Sequence, residues 1–201
     1  MHILVDYGVG NIGSVVAAFE RAGMGIKVSQ DKEEIRHGKS LLLPGVGAFG
    51  DAIHRMEERG LKEDILYAVE HGSWLLGICL GMQLLYEGSE EHGIYQGLGL
   101  LEGRVEKLQI PYRIPHLGWN SLRLQEKDHP LLQYVQEGEY VYYIHSYYAN
   151  TPGHEILASS NYGIEVPGIV YKDKVFGMQF HPEKSGNVGH RLLLGYKEMV
   201  E

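Results

Sequence analysis

An α/β fold, with a mostly parallel, helix-flanked sheet and a smaller antiparallel β portion in the C-terminal half, is the class this sequence predicts. Three observations carry it. The N-terminal half alternates short, continuously apolar runs with stretches of helical periodicity, the pattern of strands buried on both faces and joined by crossover helices. From about residue 100 the runs become short, rich in Val, Ile, Tyr and Phe, and joined by Gly, Asn, Asp or Pro turns, which suits antiparallel or mixed strands. At 201 residues the chain has room for one core, so a single domain over residues 1–201 is expected.

In chain order, residues 2–6 (HILVD) form a β-prone run closed by the turn-rich YGVGN, and residues 12–23 place apolar groups at helical spacing. Ile26 to Ser29 reads as a second strand before a polar segment. Leu41-Leu42-Leu43 then runs into PGVGAFG, and a polar, Glu-rich helical stretch follows at 51–71. Trp74 to Ile78 is a fourth buried strand cut off at Cys79, and residues 80–87 suit a helix that ends at Gly88. LLEGRVEKL, LGWNSLRL, EYVYYIHSYYA, EILASS, GIVYKD and KVFGMQF supply the later strands, and a helix near 186–200 closes the chain.

Composition narrows the function. A net charge of −8 leaves no basic excess to neutralise phosphates, so nucleic acid is not an expected partner. No apolar run approaches the ~18 residues a bilayer span needs, so no membrane association is expected either. The N-terminus lacks the basic region, apolar stretch and small-residue cleavage site of a signal peptide, and a single cysteine permits no internal disulfide. A cytoplasmic location is the expectation. The eleven histidines show no Cys-x-x-Cys or His-Glu-x-x-His spacing, so neither a metal nor a cofactor is expected.

Two short stretches carry chemistry. Gly77-Ile78-Cys79-Leu80-Gly81 has the form of a nucleophile elbow, in which a strand passes to a helix so abruptly that only small residues fit two positions either side. A cysteine opening a helix faces unpaired N–H groups and the positive end of the helix dipole, which favours the thiolate. The competing reading is a buried structural thiol, because free cysteine is among the most buried residue types. In Gly177-Met178-Gln179-Phe180-His181-Pro182-Glu183 the proline keeps His181 extended. Extended geometry then puts His181 and Glu183 on one side, so the carboxylate can orient the imidazole toward a thiol. A solvated histidine at a strand end is the alternative.

Gly-Ile-Cys-Leu-Gly-Met-Gln, Gln-Phe-His-Pro-Glu-Lys-Ser and Leu43-Pro44-Gly45-Val46-Gly47 together resemble the three signatures of the class I, triad-type glutamine amidotransferases. Asp6-Tyr7-Gly8-x-Gly10-Asn11-Ile12 with Ser14, Gly88-Ser89-Glu90-Glu91, and Pro115-His116-Leu117-Gly118-Trp119-Asn120 look more narrowly like the glutaminase subunits of imidazole glycerol phosphate synthases. The likeness runs from the first strand to the last helix. It implies the flavodoxin-like fold of that class and hydrolysis of glutamine to glutamate and ammonia. Cys79 would be the nucleophile, His181 the general acid and base, and Glu183 its orienter. The oxyanion donors would be the amide of Leu80 and one from the loop of Gly45, Val46 and Gly47.

The same resemblance implies that Gln83, Glu91 and the backbone of Ser146 and Tyr147 hold the amino-acid end of glutamine. It also implies a partner, a (β/α)8-barrel cyclase subunit that receives the ammonia unexposed for synthesis of imidazole glycerol phosphate and AICAR in histidine biosynthesis. Asn11, Trp119, Asn120, Tyr142 and Lys184 match positions expected on the docking face. Composition alone would make Trp119 and the neighbouring tyrosines core or sheet-face aromatics. The rival acceptors are the synthases of anthranilate, aminodeoxychorismate or GMP, whose glutaminases share the nucleophile turn.

Overall fold

The computed structural model describes residues 1–201. The four apolar runs of the N-terminal half form β1 (His2–Val5), β2 (Ile26–Ser29), β3 (Ser40–Leu43) and β4 (Trp74–Ile78). Helices α1 (Ile12–Arg21), α2 (Lys32–Arg36), α3 (Phe49–Glu58) and α4 (Leu61–Glu70) connect them. The side chains of Asn11 and Asp31 accept the N–H groups of Ser14 and Glu34, so polar caps start α1 and α2. The single helical stretch expected over 51–71 is instead two helices. Gly60 adopts a left-handed conformation with φ 63°, which ends α3 and turns the chain into α4.

After β4 comes α5 (Leu80–Gln83), four residues rather than the expected eight. Past Leu84 the α pattern lapses: the Leu85 and Tyr86 N–H groups donate to the Met82 and Gln83 carbonyls only three residues back, and the Glu87 N–H donates to the Gly103 carbonyl, while the carbonyls of Leu84, Leu85 and Tyr86 accept from the N–H groups of Leu98, Leu100 and Gly99. The later strands are β5 (Gly88–Ser89), β6 (Tyr95–Gln96), β7 (Arg104–Lys107), β8 (His116–Ser121), β9 (Arg123–Leu124), β10 (Tyr140–His145), β11 (Tyr147–Asn150), β12 (Ile156–Asn161), β13 (Glu165–Lys172) and β14 (Val175–Met178). The run EYVYYIHSYYA is therefore two strands divided at Ser146. The closing helix is α6 (Gly186–Val200).

The main sheet has the order β2-β1-β3-β4-β14-β13-β12-β9. Its first five strands are parallel neighbours, and the last three add antiparallel. A four-stranded sheet (β11-β7-β5-β6) and the pair β10-β8 form the smaller β portion. Alternation along the parallel strands sends residues to two cores. Leu4, Leu42 and Leu76 pack with Phe19 of α1 and Leu192, Leu193 and Tyr196 of α6. Ile3, Val5, Leu41, Leu43 and Leu75 pack with Phe49, Ile53 and Met56 of α3 and Ile65 of α4. No helix is long and apolar enough to cross a membrane.

Register places the candidate site residues. β4 lies between β3 and β14, with Gly77 beside both Leu43 and Gly177, and Ile78 beside Met178. The segments that leave these three strands at their carboxyl ends are Pro44–Gly47, Cys79–Gly81 and Gln179–Glu183. Three sequence-distant motifs therefore emerge at one edge, where ligands bind in open α/β sheets.

Candidate active site

Cys79 occupies a backbone conformation that L-residues seldom adopt, with φ 54° and ψ −109° between β4 and α5. Its N–H donates to the Met178 carbonyl at 2.7 Å, which ties the turn to the neighbouring strand. Both flanking glycines are required. A Cβ on Gly77 would stand 2.4 Å from the Gly81 carbonyl oxygen, and one on Gly81 would stand 1.7 Å from that of Leu43. The Leu80 N–H is the first of α5 and has no intrahelical partner.

His181 and Glu183 come together, though not as two residues of one strand. β14 ends at Met178, His181 is extended with φ −98° and ψ 97°, and Pro182–Lys184 turns into a short 3-10 helix that folds Glu183 back. His181 Nδ1 lies 2.8 Å from Glu183 Oε1, with both side chains almost fully shielded. The His181 N–H donates to the Tyr142 carbonyl at 2.9 Å, and Ser185 Oγ donates to the His181 carbonyl at 2.7 Å. Burial works against an imidazolium here, but hydrogen bonds and charge from Cys79 and Glu183 outweigh it and push His181 up to about 9.

A cleft of about 290 Å³ opens over these groups, at the small end of the range of about 300–1,000 Å³ typical of ligand pockets. Val46, Gly47, Cys79, Leu80, Gln83, Glu91, Ser146, Tyr147, His181 and Lys184 of the expected residues line it, together with Pro115, Ile144 and His145. Gly47 holds a φ of 110°, and Val46 is exposed. Gly45 stands behind the lining, packed so closely against Tyr7 and Leu80 that a Cβ would meet them at 2.7 and 2.9 Å. The Tyr7 hydroxyl donates to the Pro44 carbonyl, which anchors the start of this loop.

Gln83 Nε2 donates to the Tyr147 carbonyl at 2.9 Å and to Gln179 Oε1 at 3.1 Å, leaving its own carbonyl oxygen for another partner. Glu91 Oε2 accepts the Phe49 N–H at 2.7 Å, so its carboxylate sits at the positive start of α3. Trp119 and Tyr142 pair across β8 and β10 with ring centroids 5.6 Å apart, and Trp119 is 55% exposed. Asn120 is adjacent, Lys184 lies on the cleft rim, and exposed Asn11 follows Gly10, which abuts Gly45. Sequence reasoning missed Gln179, whose Nε2 lies 3.9 Å from Cys79 Sγ, and the buried pair His116 and His145. Gln179 and His116 stand inside the quoted motifs, so the only available signal was their place there.

Comparison with known proteins agrees with this geometry. The family model "Glutamine amidotransferase class-I" matches residues 3–195. The imidazole glycerol phosphate synthase subunit HisH of Geobacillus thermodenitrificans is 52% identical, over 98% of this chain and 95% of that protein. Those of Bacillus cereus strain G9842 and Listeria monocytogenes are 49% and 45% identical, each over 100% of this chain and 96% of the relative. Among solved structures, a glutamine amidotransferase shares the fold with a TM-score of 0.77 at 24% identity, covering 98% of each chain. A PurLQS structure from Thermotoga maritima gives 0.77 at 20%, over 100% of this chain and 98% of that one. The chain belongs to the class I glutamine amidotransferases and, within them, to the HisH subunits of imidazole glycerol phosphate synthase.

Proposed function

We propose that residues 1–201 act as one glutaminase domain that hydrolyses glutamine at the Cys79 cleft and passes the ammonia to a (β/α)8-barrel cyclase subunit. The observation that carries this reading is the convergence of the strained Cys79 turn and the 2.8 Å His181–Glu183 pair on one amino-acid-sized cleft. Each residue then has a role set by its chemistry. The Cys79 thiolate attacks the side-chain carboxamide of glutamine, and negative charge develops on the former carbonyl oxygen. The Leu80 N–H and a donor from the Gly45–Gly47 loop receive that charge.

His181, held charged by its neighbours, gives its proton to the departing ammonia and leaves a γ-glutamyl thioester on Cys79. It then takes a proton from the water that attacks the thioester, and glutamate leaves. Glu183 keeps the imidazole aimed at sulfur throughout. Gln83, Glu91 and the backbone of Ser146 and Tyr147 hold the amino-acid end of the substrate.

Ammonia released into neutral water becomes ammonium and loses its nucleophilicity, so delivery must be enclosed. Asn11, Trp119, Asn120, Tyr142 and Lys184 form the docking face for the cyclase, beside the cleft and rich in the aromatic type favoured at such contacts. The acceptor reaction yields imidazole glycerol phosphate and AICAR. Glutamine hydrolysis measured with and without a cyclase subunit and its nucleotide ligand tests the reading. A marked rise in the full complex supports it, and robust hydrolysis by the isolated chain, unchanged by the partner, refutes the coupling.

A further inference from the structure

Two histidines that the mechanism does not use face each other at the cleft wall, His145 lining it and His116 beyond. His116 opens β8 and His145 closes β10, and the two pair directly across the strands. Both are buried, and the His116 ring is stacked between Tyr162 and Tyr143, with centroids at 3.9 and 4.5 Å. His116 Nδ1 lies 2.9 Å from His145 Nε2.

The direction of every bond in this chain is fixed independently from both ends. Asn120 Oδ1 accepts the Ser121 N–H at 2.8 Å, so its amide nitrogen must face the Asn161 carbonyl at 3.0 Å and His116 Nε2 at 3.2 Å. An amide nitrogen only donates, hence His116 Nε2 accepts and Nδ1 carries the proton toward His145. At the other end the Tyr147 carbonyl, which only accepts, lies 2.9 Å from His145 Nδ1. His145 therefore carries its proton on Nδ1 and accepts on Nε2, which matches the proton that His116 Nδ1 directs at it. Protonating either ring would set two donors against each other. Burial acts in the same sense, holding His116 down to about 4 and His145 down to about 3 against the opposing pull of the Tyr147 carbonyl.

The chain continues into the site. The Tyr147 carbonyl that accepts from His145 also accepts from Gln83 Nε2, and His145 itself lines the cleft. A route of oriented hydrogen bonds thus joins Asn120, beside exposed Trp119, to the wall that would receive the substrate.

We propose that His116 and His145 are positioning residues for glutamine, holding the Tyr147 carbonyl, the Ser146–Tyr147 backbone and the Gln83 side chain in the arrangement that receives its amino-acid end. This rests on the glutaminase reading above. Neither histidine touches the reacting atoms, so their loss weakens binding common to the ground and transition states. Such a loss appears in KM and leaves kcat nearly unchanged.

Steady-state glutamine hydrolysis by the ligand-activated complex of this chain with its cyclase tests the proposal, using His145→Leu, His145→Asn and His116→Phe. His145→Leu removes both nitrogen contacts and is expected to raise KM about tenfold, the scale of one lost hydrogen bond, with kcat held. His145→Asn places an amide N–H near the lost Nδ1–H and is expected to restore most of that affinity. His116→Phe keeps the aromatic stack, cuts the link to His145 and is expected to raise KM by a smaller factor. Should His145→Leu fail to fold, as a thermal melt would show, the other two carry the comparison. KM values for His116→Phe and His145→Leu within twofold of wild type overturn the inference, and where His145→Leu does not fold, His116→Phe within twofold does so alone. So does a fall in kcat with KM unchanged. A wild-type complex that does not hydrolyse glutamine overturns the glutaminase reading and this inference together.

Discussion

Gly81 lies against Leu43 so closely that a Cβ built on it would stand 1.7 Å from the Leu43 carbonyl oxygen. The turn that lifts Cys79 out of β4 is therefore closed by backbone touching backbone, and no side-chain rotation can relieve an added methyl. Gly81→Ala is expected to cost about 3 kcal/mol or more, the upper part of the range for overpacking. Urea unfolding of the purified chain measures it, and wild-type stability in the variant would show that the turn tolerates a side chain.

Against burial, hydrogen bonds and charge from Cys79 and Glu183 favour the charged form of His181 and push it up to about 9. Its folded value lies above the ordinary 6.5. The stability it contributes is thus fully present below that pH and is lost as pH rises through about 9. Glu183→Gln is expected to lower the His181 value toward 6.5 and to reduce glutamine turnover by about 10²-fold, the lower range for positioned proton transfer. Imidazole NMR titration reads the first effect, and an unchanged midpoint in the variant would contradict it.

His116 shifts the opposite way, down to about 4 through burial. Its unfolded form takes up a proton from pH 6.5 downward while the folded form does not, so stability falls as pH drops from 6.5 through about 4. At pH 5 the loss from this one ring is about 2 kcal/mol. His116→Phe should flatten that part of the stability curve. Urea midpoints at pH 7 and pH 5 for both proteins decide it, and an equal drop in the two would assign the acid sensitivity elsewhere.

Much of the fold and of the backbone that brings the candidate site together was legible because it depends on local pattern. The four apolar runs became β1 to β4, and the glycines around Cys79 are where small residues were demanded. What was illegible depends on distant partners. The helix expected over 80–87 stops at Gln83, where the Leu85 and Tyr86 N–H groups bond only three residues back and the Glu87 N–H goes to the Gly103 carbonyl of a distant segment. Glu183 reaches His181 through a 3-10 turn that the proline also favours, not through strand alternation. The His116–His145 contact joins residues 29 apart and needs their two strands to pair in one register, and nothing local to either histidine encodes that.

Trp119 presents 55% of its surface while packing edge-on against Tyr142. A large aromatic so exposed next to the cleft suits an interface anchor. Trp119→Ala is expected to weaken cyclase binding by about 2 kcal/mol, roughly 30-fold, with little change in the stability of the isolated chain. Calorimetric titration of the two subunits measures this, and unaltered affinity would move the docking face elsewhere.

The most direct test of the central claim is glutamate release from glutamine by the ligand-activated complex containing either wild-type chain or Cys79→Ala. Turnover by the wild type and none above background in the variant is the expected result. Equal turnover in the two would contradict a mechanism that forms its thioester on Cys79.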